Sequence, residues 1–237
     1  MLVNWQLSMG AISILSTNVS VLLKIYWEKL MQHLNGKMLC CIDTETTGLD
    51  PRHNEIWQLC ILPLDAKLQP MKKRFPLLLM IKPEHPEYID WTVPVFRKNK
   101  KKIMEAMERG HDRCAAIEMM MDWIEKLELP CTKYGTPCKI EPLGQNYGFD
   151  KGFIEQWMGI ADYQEQFDYH YRDLMHAALF LNDKASFHAE KVPFSKVNLS
   201  WLCKELGVIN KDSHDALSDC VATAECYAKL CKQGLFR

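Results

Sequence analysis

The sequence lacks the paired cysteines of a zinc ribbon or a disulfide scaffold. It has ten cysteines, but no two of them form a C-x-x-C pair. Cys40 and Cys41 lie inside the apolar run Met-Leu-Cys-Cys-Ile, where a free thiol behaves as a small hydrophobic side chain. Free cysteines at scattered positions are typical of a reducing compartment. We therefore predict a cytoplasmic protein whose cysteines neither bind metal nor form disulfides.

Long apolar runs are also missing. The most apolar N-terminal stretch, residues 9–27, is interrupted by Ser13, Asn18 and Lys24. It therefore falls short of the roughly 20 consecutive apolar residues that a membrane span needs. No Lys or Arg precedes this stretch, which argues against a signal peptide. The sequence predicts no membrane partner.

Charge of one sign is not in excess, since 29 Lys and Arg nearly balance 30 Asp and Glu. Bulk charge therefore does not indicate a nucleic-acid partner, although a local basic patch or bound metal ions can supply positive potential. Repeats and low-complexity segments are absent from the sequence. A length of 237 residues with 48% hydrophobic residues predicts one domain with a sizeable core and a short extension.

Residues 1–36 differ in composition from the rest of the chain. They carry little charge, follow a weakly helical pattern and end in an Asn-Gly turn signal. In one interpretation the true start is Met31 or Met38, and the segment is an artefact of start-codon choice. In the other it is an accessory helix that packs on the domain or on a partner. The domain itself is predicted to comprise residues 37–237.

The domain alternates between strand and helix patterns. Residues 38–42, 55–64 and 74–81 are apolar segments typical of strands. Residues 133–141 contain Gly and Pro and are predicted to form a loop. Four helices are predicted: residues 115–129, the segment after Asp150, a helix capped by Asn198 or Ser200 that ends at Leu206, and about Asp215 to Lys232. Strands followed by mixed helices and strands predict an α/β fold, a sheet flanked by helices.

Two acidic residues follow the first predicted strand, in the motif Asp-Thr-Glu-Thr-Thr-Gly-Leu that begins at Asp43. Side chains two apart on a strand point to the same face, so Asp43 and Glu45 project together. Adjacent carboxylates repel each other unless a cation lies between them, and their oxygens are natural ligands of Mg²⁺ and Mn²⁺. The structural alternative is a turn in which Asp43 and Thr47 cap backbone groups.

Two later motifs also end in aspartate. Gly-Gln-Asn-Tyr-Gly-Phe-Asp places Asp150 at the start of an amphipathic helix, where Asp is also a favoured N-cap. The third motif is His-Asp-Ala-Leu-Ser-Asp, from His214 to Asp219. Positions five apart do not share a helix face. We therefore expect His214 on the preceding loop or first turn, Asp215 as an N-cap and Asp219 pointing inward.

In this order the three motifs resemble those of the DEDDh family of 3′→5′ exonucleases. The resemblance covers about residues 38–231, and the segment from Leu199 to Gly207 is similar to the family's sequence ahead of its histidine. Gln145 departs from the pattern, because many members have histidine before the asparagine. The resemblance implies a ribonuclease-H-like fold, in which a mixed sheet is flanked by helices.

The resemblance also implies a site that binds a single-stranded 3′ end and two Mg²⁺ or Mn²⁺ ions. The metal ligands it implies are Asp43, Glu45, Asp150 and Asp219, and His214 would be the general base. Thr46 and Leu49 would contact the terminal nucleotide, with Leu49 wedged against the last base. Asn146 is a further candidate on the substrate side.

Residues 97–102 contain five cations. They form either a solvated face or a phosphate contact for the strand that feeds the site. Just upstream, Tyr88, Trp91 and Phe96 either stack on bases or pack in the core or a lid.

Three functional hypotheses follow. The first is an exonuclease that acts on DNA and releases nucleoside monophosphates. The second is an exoribonuclease that trims RNA or oligoribonucleotides, because the motifs are shared. The third is a non-catalytic nucleic-acid-binding or polymerase-associated subunit, against which the presence of all four carboxylates and His214 argues. The sequence shows no polymerase domain, so a proofreading role would need a polymerase or replication partner, which residues 1–36 could contact.

Overall fold

A computed structural model describes residues 37–232, which form five strands and seven helices. The strands are β1 (Leu39–Thr46), β2 (Ile56–Pro63), β3 (Leu77–Met80), β4 (Glu141–Gly144) and β5 (Arg172–Asp173). The helices are α1 (Pro94–Arg109), α2 (Arg113–Lys126), α3 (Tyr147–Met158), α4 (Ile160–Gln166), α5 (Leu174–Phe187), α6 (Leu199–Leu206) and α7 (Ala216–Lys232). The predictions made for residues 1–36 lie outside the described residues.

The five strands form one mixed sheet in the order β3-β2-β1-β4-β5. β1 pairs antiparallel with β2 and parallel with β4, so the central strand joins the two halves of the sheet. β3 extends the antiparallel half, and β5 extends the parallel half. The predicted α/β class, a mixed sheet flanked by helices, is therefore confirmed.

β1 is buried on both faces, and its side chains alternate between two cores. Cys40 and Ile42 pack on the side of α2 and α3, whereas Leu39 and Cys41 pack on the side of α7. This alternation follows from the two-residue period of a strand. The same alternation sets which helix each of the residues from Asp43 to Thr46 faces.

The three predicted strands are present with changed ends. The third is shortened to Leu77–Met80, and the first continues beyond residue 42 to Thr46. The predicted loop at residues 133–141 is confirmed except at Glu141, which begins β4. All ten cysteines are free, and six of them are buried.

Helix ends agree with local capping rules. Asn198 caps α6, because its side chain accepts a hydrogen bond from the Trp201 N–H at 2.9 Å, and Gly207 ends the helix with φ 63°. The predicted helix at residues 115–129 begins earlier, at Arg113, because Asp112 accepts a bond from the Ala115 N–H at 2.9 Å. It ends earlier as well, just ahead of Glu128, which has a left-handed φ of 47°.

Within residues 37–232, no helix is long and apolar enough to cross a membrane. The sequence patterns did not predict three of the helices, α1, α4 and α5. Of these, α1 places the basic residues 97–102 beside the segment that leads into α7.

Candidate active site

The carboxyl half of β1 opens into a cavity of about 530 Å³. Its walls come from β1 and the loop after it, from the start of α3, from the segment between β3 and α1 with the first turn of α1, and from the first turn of α7 with the loop before it. All five predicted catalytic residues line it, namely Asp43, Glu45, Asp150, His214 and Asp219, and so do the predicted substrate contacts Thr46 and Leu49. The structure therefore brings the three sequence motifs together in one place.

The alternation of β1 separates its acidic residues from Thr44. Asp43 and Glu45 continue the row of Leu39 and Cys41, which faces α7, so they approach Asp219. Thr44 points to the opposite side, towards α3. There its backbone N–H and its hydroxyl donate to Asp150 Oδ1 at 2.9 and 2.7 Å.

The loop after β1 is held by short-range hydrogen bonds. The Thr46 hydroxyl donates to the Gly48 carbonyl at 2.7 Å, and the Glu55 N–H donates to the Thr47 hydroxyl at 2.9 Å. A Cβ at Gly48 would lie 2.2 Å from Asn54 Oδ1, so a larger residue here would displace the Asn54 side chain, which accepts a bond from the Asp50 N–H. Leu49 lines the cavity and is 83% exposed, so its side chain is available to a ligand.

Asp150 lies in the first turn of α3, which begins three residues earlier, at Tyr147. The alternative in which Asp150 is the N-cap is therefore wrong. The N-cap is Asn146, whose φ of 61° is left-handed. Asn146 is exposed and is not among the residues that line the cavity, whereas Gln145 lines it and donates to the Val197 carbonyl at 2.8 Å.

The buried Asp173 holds the start of α3. It accepts hydrogen bonds from the N–H groups of Asn146 and Tyr147 at 3.1 and 2.8 Å, and it caps α5 by accepting from the Met175 N–H at 2.8 Å. Asp173 was not among the predicted site residues. An aspartate directly before the apolar segment that starts at Leu174 was the available N-cap signal.

His214 precedes α7, and Asp219 lies in its first turn. The His214 N–H donates to Asp219 Oδ2 at 3.2 Å, and Asn210 Nδ2 donates to Asp219 Oδ1 at 2.5 Å. Asp215 caps the helix by accepting from the Ser218 N–H at 3.2 Å. The expected arrangement, with His214 on the loop, Asp215 as the N-cap and Asp219 pointing inward, is confirmed.

One ligand atom from each of Glu45, His214 and Asp219 lies within 4.8 Å of the others, a spacing at which they could hold one metal ion. The four carboxylates also repel each other. Burial raises the pKa of Asp43, and the charges of Asp150 and Glu45 raise it further. The pKa of Glu45 is raised to about 8 by burial and by Asp219 and Asp150, against the opposing effect of Lys102.

The other two carboxyl groups are affected in the same direction. Burial raises the pKa of Asp150 to about 7, although the two bonds from Thr44 favour its charged form. Burial also raises the pKa of Asp219, which the bond from Asn210 opposes. Four anionic groups are therefore unfavourable in this cavity by themselves, and divalent cations would relieve their repulsion.

The basic residues of α1 do not act as one group, either as a solvated face or as a phosphate contact. Lys98 and Lys102 contact the segment around His214. Lys100 lies over the ring of Trp91 at 5.4 Å. Of the aromatic residues just upstream, Tyr88 and Phe96 line the cavity. Trp91 and Phe96 both pack, partly buried, against a core cluster.

A scan against protein-family models and a search of the curated proteins give no match. Solved structures of nucleases do match. Exonuclease I from Methylocaldum szegediense superposes with a TM-score of 0.59 and 22% identity, over 84% of this chain and 41% of that chain. E. coli exonuclease I in complex with a dT13 oligonucleotide gives 0.58 and 20%, over 83% and 41%.

The nuclease domain of 3′hExo, a DEDDh family member bound to rAMP, gives a TM-score of 0.59 and 16% identity, over 84% of this chain and 93% of that domain. This chain thus covers less than half of the exonuclease I chains but nearly all of the 3′hExo domain. At these identities the comparisons establish the fold. The chain has the ribonuclease-H-like fold of the DEDDh-type exonucleases, as its motifs indicated.

Proposed function

We propose that this chain is a metal-dependent 3′→5′ exonuclease, which hydrolyses phosphodiester bonds at nucleic-acid 3′ ends and releases nucleoside monophosphates. One observation carries the proposal: four carboxylates from β1, α3 and α7 line one cavity together with His214. The same convergence argues against a non-catalytic binding module, which would not need all five groups.

The proposed cofactors are two Mg²⁺ or Mn²⁺ ions, held by Asp43, Glu45, Asp150 and Asp219. The donor set fits, because carboxylate oxygens are the preferred ligands of these hard cations and because the pKa values of all four groups are raised by burial. A bound pair of such ions would stabilise the attacking and leaving oxygens of an in-line displacement.

His214 is the proposed general base. Its side chain lines the cavity, and its backbone N–H is bonded to Asp219, so the ring is held beside the proposed metal ligands. From there it would accept the proton of the attacking water. Thr44 keeps Asp150 oriented through its two hydrogen bonds to Oδ1.

The terminal nucleotide is proposed to bind against the loop after β1. The exposed Leu49 would pack on the last base, and the backbone near Thr46 would meet the 3′-hydroxyl. Asn146 lies further out, at the exposed start of α3, and would contact the substrate only outside the cavity.

Single-stranded DNA is the proposed substrate. Two exonuclease I structures, solved with dT13 and with dA16 and each 20% identical to this chain, support this choice of substrate. RNA is the second candidate, because the 3′hExo domain bound to rAMP is matched over 93% of its length. A polymerase or replication partner contacted by residues 1–36 belongs to the proposal as well.

The test is digestion of 5′-labelled single-stranded DNA, duplex DNA and RNA side by side, with Mg²⁺, with Mn²⁺ and with excess chelator. We expect a ladder that shortens from the 3′ end only when a divalent cation is present. Asp43→Asn should abolish the ladder, whereas Asp122→Asn, at an exposed position of α2, should not. Undiminished digestion in chelator or by Asp43→Asn would contradict the proposal.

A further inference from the structure

Helix α1 turns two of its lysines towards the segment that carries His214. Lys98 and Lys102 are four residues apart, so they lie on the same face of the helix. Lys98 donates to the backbone carbonyl of Ser213 at 3.0 Å. Lys102 lies 2.6 Å from Asp212 Oδ2 and 3.2 Å from Asp215 Oδ2.

These acceptors lie on both sides of His214 in the sequence. The two ammonium groups therefore fix the chain immediately before and immediately after the histidine. Lys102 is 31% exposed and Asp215 is 21% exposed. Because this ion pair is partly shielded from solvent, it is screened less than a pair on the open surface.

Helix α1, which carries the two lysines, is itself held by packing against the sheet. Ile103 and Ala106 of α1 are fully buried and pack in one cluster with Trp57 of β2. The helix is thus anchored to the sheet that carries Asp43 and Glu45. Lys98 and Lys102 therefore position the segment 212–215 relative to the strand of the site, not only relative to a surface helix.

The segment needs such support, because His214 has a φ of 68°. A non-glycine residue in the left-handed region is strained and persists only where its surroundings determine it. Neighbouring contacts contribute as well. Gln58 of β2 donates to Asp215 Oδ2 at 3.3 Å and accepts from the Ala216 N–H at 3.0 Å.

We propose that Lys102, assisted by Lys98, is a positioning residue for His214 in the proposed exonuclease reaction. It acts through the conformation of segment 212–215 and does not contact the reacting atoms. The inference rests on the proposed function, since it assumes that His214 takes part in hydrolysis. It also separates these two lysines from Lys101, which is exposed and lines a different surface cavity.

The experiment is a double-mutant cycle between Lys102 and His214, measured at saturating Mn²⁺ on end-labelled single-stranded DNA. Wild type, Lys102→Met, His214→Ala and the double variant are compared for kcat and KM, with Lys101→Met as the matched control. Misplacement by about 1 Å can cost roughly 10²-fold in rate. We expect Lys102→Met to lower kcat by about 10–10²-fold, with KM within about twofold, and Lys101→Met to leave both unchanged.

In the His214→Ala background, the same Lys102→Met substitution should lower kcat no further, because the residue that it positions is gone. Lys102→Arg, which keeps the positive charge, should retain most of the wild-type kcat that Lys102→Met loses. Lys98 is at an exposed helix position, where a substitution should change stability little. Lys98→Met should therefore give a smaller loss of kcat with the same non-additive pattern.

Three outcomes would overturn the inference while leaving the proposed function intact. They are an unchanged kcat in both Lys102→Met and Lys98→Met, equal losses in the wild-type and His214→Ala backgrounds, or a change confined to KM. The last would make the lysines phosphate contacts. If the wild-type protein hydrolyses none of the three substrates, single-stranded DNA, duplex DNA and RNA, the proposed function fails and the inference fails with it.

Discussion

Replacing Asp150 by asparagine is expected to raise the melting temperature of the metal-free protein at pH 8. Asp150 is 4% exposed, and its pKa rises from 3.8 to about 7 in the folded state. At 1.36 kcal/mol for each pH unit, ionising it in the folded protein costs up to about 4 kcal/mol. Asparagine carries no charge, and its Oδ1 can still accept both bonds from Thr44.

The sign of the pH dependence follows from proton binding. Between pH 4 and pH 7 the folded state retains a proton on Asp150 that the unfolded state has released. The stability of the wild type therefore falls as the pH rises through this window. The melting temperature of Asp150→Asn should equal that of the wild type near pH 4 and rise above it as the pH increases. The difference should be complete above pH 7.

At 2–4 °C for each kcal/mol in a protein of this size, the melting temperature should rise by up to roughly 8–16 °C. The assay is thermal melting by circular dichroism in excess chelator from pH 4 to pH 8.5. Glu118→Gln, at an exposed position of α2, is the control for loss of one acidic group. A melting temperature of Asp150→Asn at or below that of the wild type at pH 8 would refute the reasoning.

Adding the cation should reverse the order of the two melting temperatures, so that the wild type becomes the more stable protein. Mg²⁺ or Mn²⁺ that binds only the folded state stabilises the protein according to its concentration. The wild type should therefore gain stability on titration, whereas Asp150→Asn, which lacks one of the four proposed ligands, should gain little. Equal gains for both proteins would show that Asp150 does not bind the metal.

Three further predictions concern other parts of the molecule. His214→Ala should slow turnover by roughly 10²–10⁴, the usual contribution of a general base; wild-type turnover across a pH range spanning neutrality would exclude that role. Deleting residues 1–36 should leave a folded, active protein, because every motif lies after residue 38; circular dichroism and thermal melting would reveal an incomplete core. Arg172→Met should lower the free energy of unfolding by about 3–5 kcal/mol, because it leaves the buried Glu141, now 2.9 Å from Arg172, without its partner. Urea titration measures this loss, and Arg52→Met, in an exposed ion pair, should change stability little.

The sequence predicted the parts of the site that depend on local patterns. Apolar runs located β1 and β2, and the order of the three motifs located the carboxylates. The caps at Asn198 and Asp215 could be predicted, because an N-cap is decided by its own residue and its nearest neighbours. For the same reason Asp173 could have been found in advance.

Helix α1 was not predicted, although Pro94 at its first position and the helical spacing of Phe96, Ile103 and Met107 were available signals. Its buried residues are Asn99, Ile103 and Ala106, in a helix whose other positions include five cations in a row of six. Such a helix forms because Ile103 and Ala106 pack on Trp57, a residue distant in sequence. The contacts of Lys98 and Lys102 are likewise long-range, and no spacing in the sequence indicates them.

The convergence of β1 and α7 on one cavity has a consequence for synthesis. A ribosome completes β1 about 170 residues before it reaches α7, which at about 5–20 residues per second is a delay of roughly 10–30 s. During this interval the nascent chain has Asp43 and Glu45 but neither His214 nor Asp219. The proposed site is therefore incomplete while the chain is being translated, and its five groups meet only after α7, the last wall of the cavity, has been made.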